Sequence, residues 1–91
     1  MLTPQQKEEI QEKIVLLCNA ASRIGIPEER LLRDLHRYGF ERLTLEEFDA
    51  EIFHLQKKAL ITTVDKTLRK DLRRWVSTAE GDEFLIQHGL I

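Results

Sequence analysis

The chain has 91 residues, 42% of them hydrophobic and 33% charged, with a formal net charge of −2. That balance excludes a disordered chain and suits one small domain over residues 1–91, burying about 60–65% of its unfolded surface. A pI near 5.9 also sets it apart from dedicated DNA-binding domains, which are usually strongly basic, so any nucleic-acid role must rest on local charge.

Helix 1 opens on Thr3-Pro4-Gln5-Gln6. Thr3 suits an N-cap, Pro4 loses nothing by lacking an N–H in the first turn, and Gln6 completes a capping box. Ile10, Ile14, Leu17, Cys18 and Ala21 then recur at helical spacing, with Val15 and Leu16 widening the apolar arc. A helix apolar over most of its circumference needs burial on more than one side. The run from Ile14 to Cys18 is the longest apolar stretch and is far too short to cross a bilayer. Gly25 predicts the stop. The first residues show neither a basic start nor an apolar signal core, and Cys18 is the only cysteine, so a cytoplasmic location is the expectation.

Helix 2 is predicted from Pro27, with Glu28 and Glu29 complementing the dipole in its first turn. Leu31, Leu32, Leu35 and Tyr38 form its expected buried face, and Gly39-Phe40 reads as a Schellman-type ending. Phe40 to Leu43 is long enough for a turn or a very short strand. Thr44-Leu45-Glu46-Glu47 is a second capping box, opening helix 3. That helix is expected to bury Leu45, Phe48, Ile52, Leu55 and Ala59. The pattern then turns β-branched: Leu60 to Val64 reads as a strand and Leu72 to Ser77 as its partner, joined by a polar loop. Alternation leaves open whether Trp75 or Val76 faces the core. Thr78 caps a last helix carrying Phe84, Leu85 and Ile86. The predicted spans are helices near 4–23, 27–38, 45–58 and 79–87, with one hairpin over about 60–77.

Three helices, a β-hairpin and a closing helix follow the order of a winged helix-turn-helix domain, and two segments carry a resemblance to that superfamily. Leu55 to Ile61 resembles the end of a recognition helix entering the first wing strand. Arg73 to Leu85 resembles the second wing strand running into the Leu-Thr-x-x-Gly-x-x-Leu-Leu element of bacterial winged-helix regulators. Thr78, Gly81 and the Phe84-Leu85 pair match that element, whereas Ser77 replaces the usual leucine. The size and arrangement are also similar to small winged-helix proteins of Mu-like prophages. The resemblance covers roughly Pro27 to Leu85 and implies a mainly α fold with a small β-hairpin. It further implies duplex DNA binding and a role in transcription regulation, with protein-interaction members as a substantial minority.

Charge is uneven along the chain. Between Lys57 and Arg74 stand Lys57, Lys58, Lys66, Arg69, Lys70, Arg73 and Arg74 against Asp65 and Asp71, a local +5. A hairpin so charged suits a phosphate backbone; the plainer reading is a solvated loop kept soluble by its cations. Arg30, Arg33 and Arg37 add a basic stripe on helix 2, although Glu29–Arg33 and Arg30–Asp34 have i, i+4 spacing, worth roughly 0.2–0.5 kcal/mol each. Helix 3 runs against a DNA role: its outward face is expected to hold Glu46, Glu47, Ala50, Phe53, His54 and Lys57, with Asp49 and Glu51 on the flanks. Several carboxylates near a polyanion repel it, and Phe53 suits an anchor for a protein. The plainer reading is that early acids complement the helix dipole.

The expected DNA-contacting set is therefore Arg30, Arg33, Arg37, His54, Lys57, Lys66, Arg69, Lys70, Arg73 and Arg74, with Glu46, Glu47 and Phe53 as the alternative protein interface. The histidines and the cysteine show no metal-ligand or nucleophile spacing, so neither an enzyme nor a cofactor or metal site is expected. The apolar girth of helix 1 and the apolar C-terminus predict a homodimer through helix 1 and the last helix.

Overall fold

In the computed structural model, which describes residues 2–64 and 73–91, the elements run α1 (Pro4–Ala20), β1 (Ile26–Pro27), α2 (Glu28–Arg37), α3 (Leu45–Lys57), β2 (Ile61–Thr63), β3 (Arg74–Ser77) and α4 (Ala79–Gln87). Both capping boxes form: Thr3 accepts from the Gln6 amide and Thr44 from the Glu47 amide, each returned by the longer side chain. The Gly39-Phe40 ending forms as well, with Gly39 at a φ of 109° and the Phe40 amide donating to the Leu35 carbonyl at 3.1 Å.

Helix α1 ends at Ala20, short of the predicted boundary, because Ser22 enters the left-handed region at a φ of 57°. Helix α2 likewise starts at Glu28, since Pro27 belongs to a strand that sequence patterning does not reveal. Two residues, one a proline, offer no alternation to read. Their pairing converts the expected hairpin into a three-stranded antiparallel sheet in the order β1-β3-β2. Ile26 opposes Trp75, and Thr63 opposes Trp75 from the other side. The register puts Ile26, Ile61 and Trp75 on one face, where all three are buried, so Trp75 rather than Val76 is the core residue.

Helix α1 packs against α2, α3, α4 and β3. This answers its apolar girth: Ile10, Ile14, Val15 and Cys18 are buried, and Leu16 and Leu17 pack partly covered against the same cluster. Much of the apolar girth of α1 is thus used within the core. Leu31, Leu35, Phe48, Ile52, Leu55 and Leu85 complete that core, each contributing about 1.5–3 kcal/mol of transfer free energy. Burial pushes the Cys18 thiol up to about 12, so it stays protonated and packs as an apolar group.

Three residues expected inside lie outside. Tyr38 is 59% exposed, its ring under the Lys13 ammonium at 4.4 Å. Leu45 is 58% exposed at the first position of α3. Ala59 is exposed because it belongs to the helix ending rather than the helix.

The junction of α3, β2 and α4 rests on the Thr78-x-x-Gly81 element. The Thr78 amide donates to the Leu60 carbonyl at 3.1 Å, its hydroxyl donates to the Ala59 carbonyl, and the same oxygen accepts from the Gly81 amide at 3.0 Å. A Cβ at position 81 would lie 2.1 Å from the Leu60 carbonyl oxygen. Only glycine lets α4 sit this close to the end of α3. Among the described residues, no helix is long and apolar enough to cross a membrane.

Candidate protein or nucleic-acid interface on helix α3 and the hairpin

Helix α3 buries Phe48, Glu51, Ile52 and Leu55 and turns the opposite arc to solvent. Glu46, Ala50, His54 and Lys57 are exposed there, as the spacing predicts. Glu51 is a correction: it is 3% exposed rather than flanking the outer face. Gln11 of α1 donates to its carboxylate at 2.8 Å, which offsets the cost of burying it.

The outward face is graded along its length. Its first turn carries Glu46 and Glu47, and the Glu47 carboxyl is held below the ordinary carboxylate range, chiefly by the hydrogen bond from the Thr44 backbone amide. Leu45, the first residue of that turn, is 58% exposed, and Phe53, two turns on, is 60% exposed. The last turn carries His54 and Lys57. The Phe53 ring meets His54 edge-on at 6.0 Å and lies 5.8 Å from the Lys57 ammonium. A solvent-facing aromatic flanked by a histidine and a lysine on one side and carboxylates on the other suits an amphipathic protein surface better than a polyphosphate.

The arginines of α2 are partly answered within the helix. Arg33 approaches Glu29 at 3.4 Å in an exposed pair, and Arg30 approaches the half-buried Asp34 at 3.9 Å, both of small energetic weight. Arg37 is exposed at the end of α2.

Arg73 is turned inward. Its Nη2 donates to Glu28 Oε1 at 2.9 Å, the same oxygen accepts from the Trp75 indole at 3.0 Å, and the guanidinium lies 5.5 Å from the Trp75 ring. Glu28 is only 7% exposed, so Arg73 serves as the counter-charge of a buried carboxylate that ties the start of α2 to β3. Its Nε is buried without a hydrogen-bond partner among the described residues. The structure thus binds Arg73 to the core, while Arg74 beside it is exposed. Lys66, Arg69 and Lys70 lie outside the described residues.

Two features of this surface had no signal in the sequence. The Glu28–Trp75 link joins residues 47 positions apart, and nothing in either local pattern points to the other. The exposure of Leu45 was masked because it fits the apolar spacing of Phe48, Ile52 and Leu55. Comparison with protein families, with curated proteins and with solved structures finds no match for this chain.

Proposed function

We propose that this chain is a winged-helix domain acting as a non-enzymatic protein-interaction module, with the outward face of α3 as its working surface. The succession of helix, short strand, two helices, hairpin and helix supports the fold reading, as does the β1-β3-β2 strand order. One observation carries the function: on α3 the carboxylates of Glu46 and Glu47 stand between two large apolar side chains that are more than half exposed, Leu45 before them and Phe53 two turns on. A recognition helix brings that first turn to phosphates, where carboxylates repel, whereas an exposed aromatic beside mixed charge suits a protein.

Duplex DNA is the second reading, favoured by the local +5 between Lys57 and Arg74. In that case contact runs through the hairpin and acts on phosphate charge alone.

A salt titration against random duplex DNA separates the two. The interaction module shows no saturable binding at low salt, while Phe53→Ala weakens a protein complex by about 2 kcal/mol. Saturable DNA binding overturns it, provided neutralising Lys66 and Lys70 flattens the slope of log affinity on log salt by roughly 0.9 per lost contact.

A further inference from the structure

Glu8 and Glu12 stand one turn apart on α1, four residues being the spacing that brings two side chains onto one face. His88, the C-cap of α4, reaches the same place from 76 residues away, its Nδ1 lying 2.7 Å from Glu12 Oε2. One ligand atom from each of Glu8, Glu12 and His88 falls within 4.8 Å of the other two. We infer that these three side chains form a site for one divalent transition-metal ion of the zinc type, clamping α1 to the end of α4.

Three observations carry this beyond an ordinary ion pair. The donor set is one imidazole nitrogen with two carboxylate oxygens, a set that zinc takes at about 2.0–2.2 Å. Around a tetrahedral ion such ligands stand roughly 3.4 Å apart, between the 2.7 Å of the His88–Glu12 contact and the 4.8 Å that bounds the set. The charge is also unbalanced. Two carboxylates share one imidazole, and no lysine or arginine stands three or four residues from either of them on α1. Among the described residues Glu8 pairs with no cation. Lastly, the imidazole is already oriented, its ring lying against Phe84 with centroids 4.1 Å apart. The fixed ring lowers the ordering cost of capture. Three protein ligands leave a further coordination position, which water fills.

Imidazole favours zinc over magnesium, whose preference is for oxygen alone. The other histidines do not compete as clusters: His36 Nε2 is engaged with the Leu43 carbonyl at 2.8 Å, and His54 lies on the outer face of α3. Because the two halves of the site meet only in the folded chain, zinc binds the native state and raises its melting temperature.

The test titrates zinc chloride into the intact chain, following heat of binding, melting temperature and backbone amide shifts. One zinc binds per chain, the melting temperature rises with zinc, magnesium is silent, and the shifts centre on Glu8, Glu12 and His88. Glu8→Gln is the decisive variant. Among the described residues its side chain makes no hydrogen bond or ion pair, so its zinc-free melting temperature stays at or slightly above that of the parent while zinc affinity falls about tenfold or more. His88→Gln lowers zinc affinity further and also loses the contact to Glu12. Absence of stoichiometric zinc binding overturns the site. So does zinc binding that survives in both Glu8→Gln and His88→Gln.

Discussion

Ala59 follows the C-cap of α3 with a φ of 62°. Its amide donates to the Gln56 carbonyl, and that of Leu60 donates to the Leu55 carbonyl, both at 3.0 Å. This is the Schellman ending that glycine serves at position 39, built here with a side chain that resists the left-handed region. Ala59→Gly is therefore expected to stabilise the fold by about 0.5–1 kcal/mol, the relief of backbone strain exceeding the added flexibility of the unfolded chain. Urea denaturation with an unchanged m-value checks it; a loss of stability would show that the strain is absorbed elsewhere. Glu47 adds a pH dependence at the other end of α3. Its folded pKa is depressed by the Thr44 amide, so the stability it contributes is present above the ordinary carboxylate range and is lost as pH falls through the lower native value.

At the scale of elements, the Thr78-x-x-Gly81 turn sets how α4 meets α3 and β2. Gly81→Ala gains helix propensity of about 1 kcal/mol but drives a methyl into the Leu60 carbonyl, 2.1 Å away. The obstruction is backbone and cannot rotate aside. A net loss of about 2 kcal/mol is expected, read as a lowered denaturation midpoint, and a neutral result would mean that α4 shifts freely on the hairpin. The Glu28–Arg73–Trp75 group plays the same part between α2 and the sheet. Arg73 thereby belongs to the frame that joins α2 to the sheet, while Arg74, Lys57 and Arg37 stay exposed among the candidate phosphate contacts.

At the scale of the whole molecule, the question is what apolar surface remains once the core is closed. No large apolar side chain of α1 is more than partly exposed, while Ile86 near the end of α4 and Leu90 and Ile91 beyond it are 61%, 36% and 56% exposed. Three side chains fall far short of the roughly 20–30 residues a side that a stable interface uses. The expected state is a monomer, and sedimentation equilibrium at high micromolar concentration checks it. A dimer that Ile86→Ser dissociates would return the interface to α4.

Local chemistry determined where the helices begin and how three of them are capped. Thr3, Thr44 and Thr78 are N-caps whose partners lie three residues on, and Gly39-Phe40 is an ending complete within six residues. The helix-to-strand change after Ala59 was legible for the same reason, since β-branched composition is a local signal. Tertiary structure alone decided the rest. β1 exists because Ile26 finds Trp75, Glu51 is buried because Gln11 reaches it, and Arg73 is drawn inward because Glu28 needs a counter-charge. Glu8, Glu12 and His88 become neighbours only when α4 folds back along α1. Each of these joins residues tens of positions apart. Periodicity and capping report on neighbours within a turn or two, so they carry no information about which distant side chain will stand opposite.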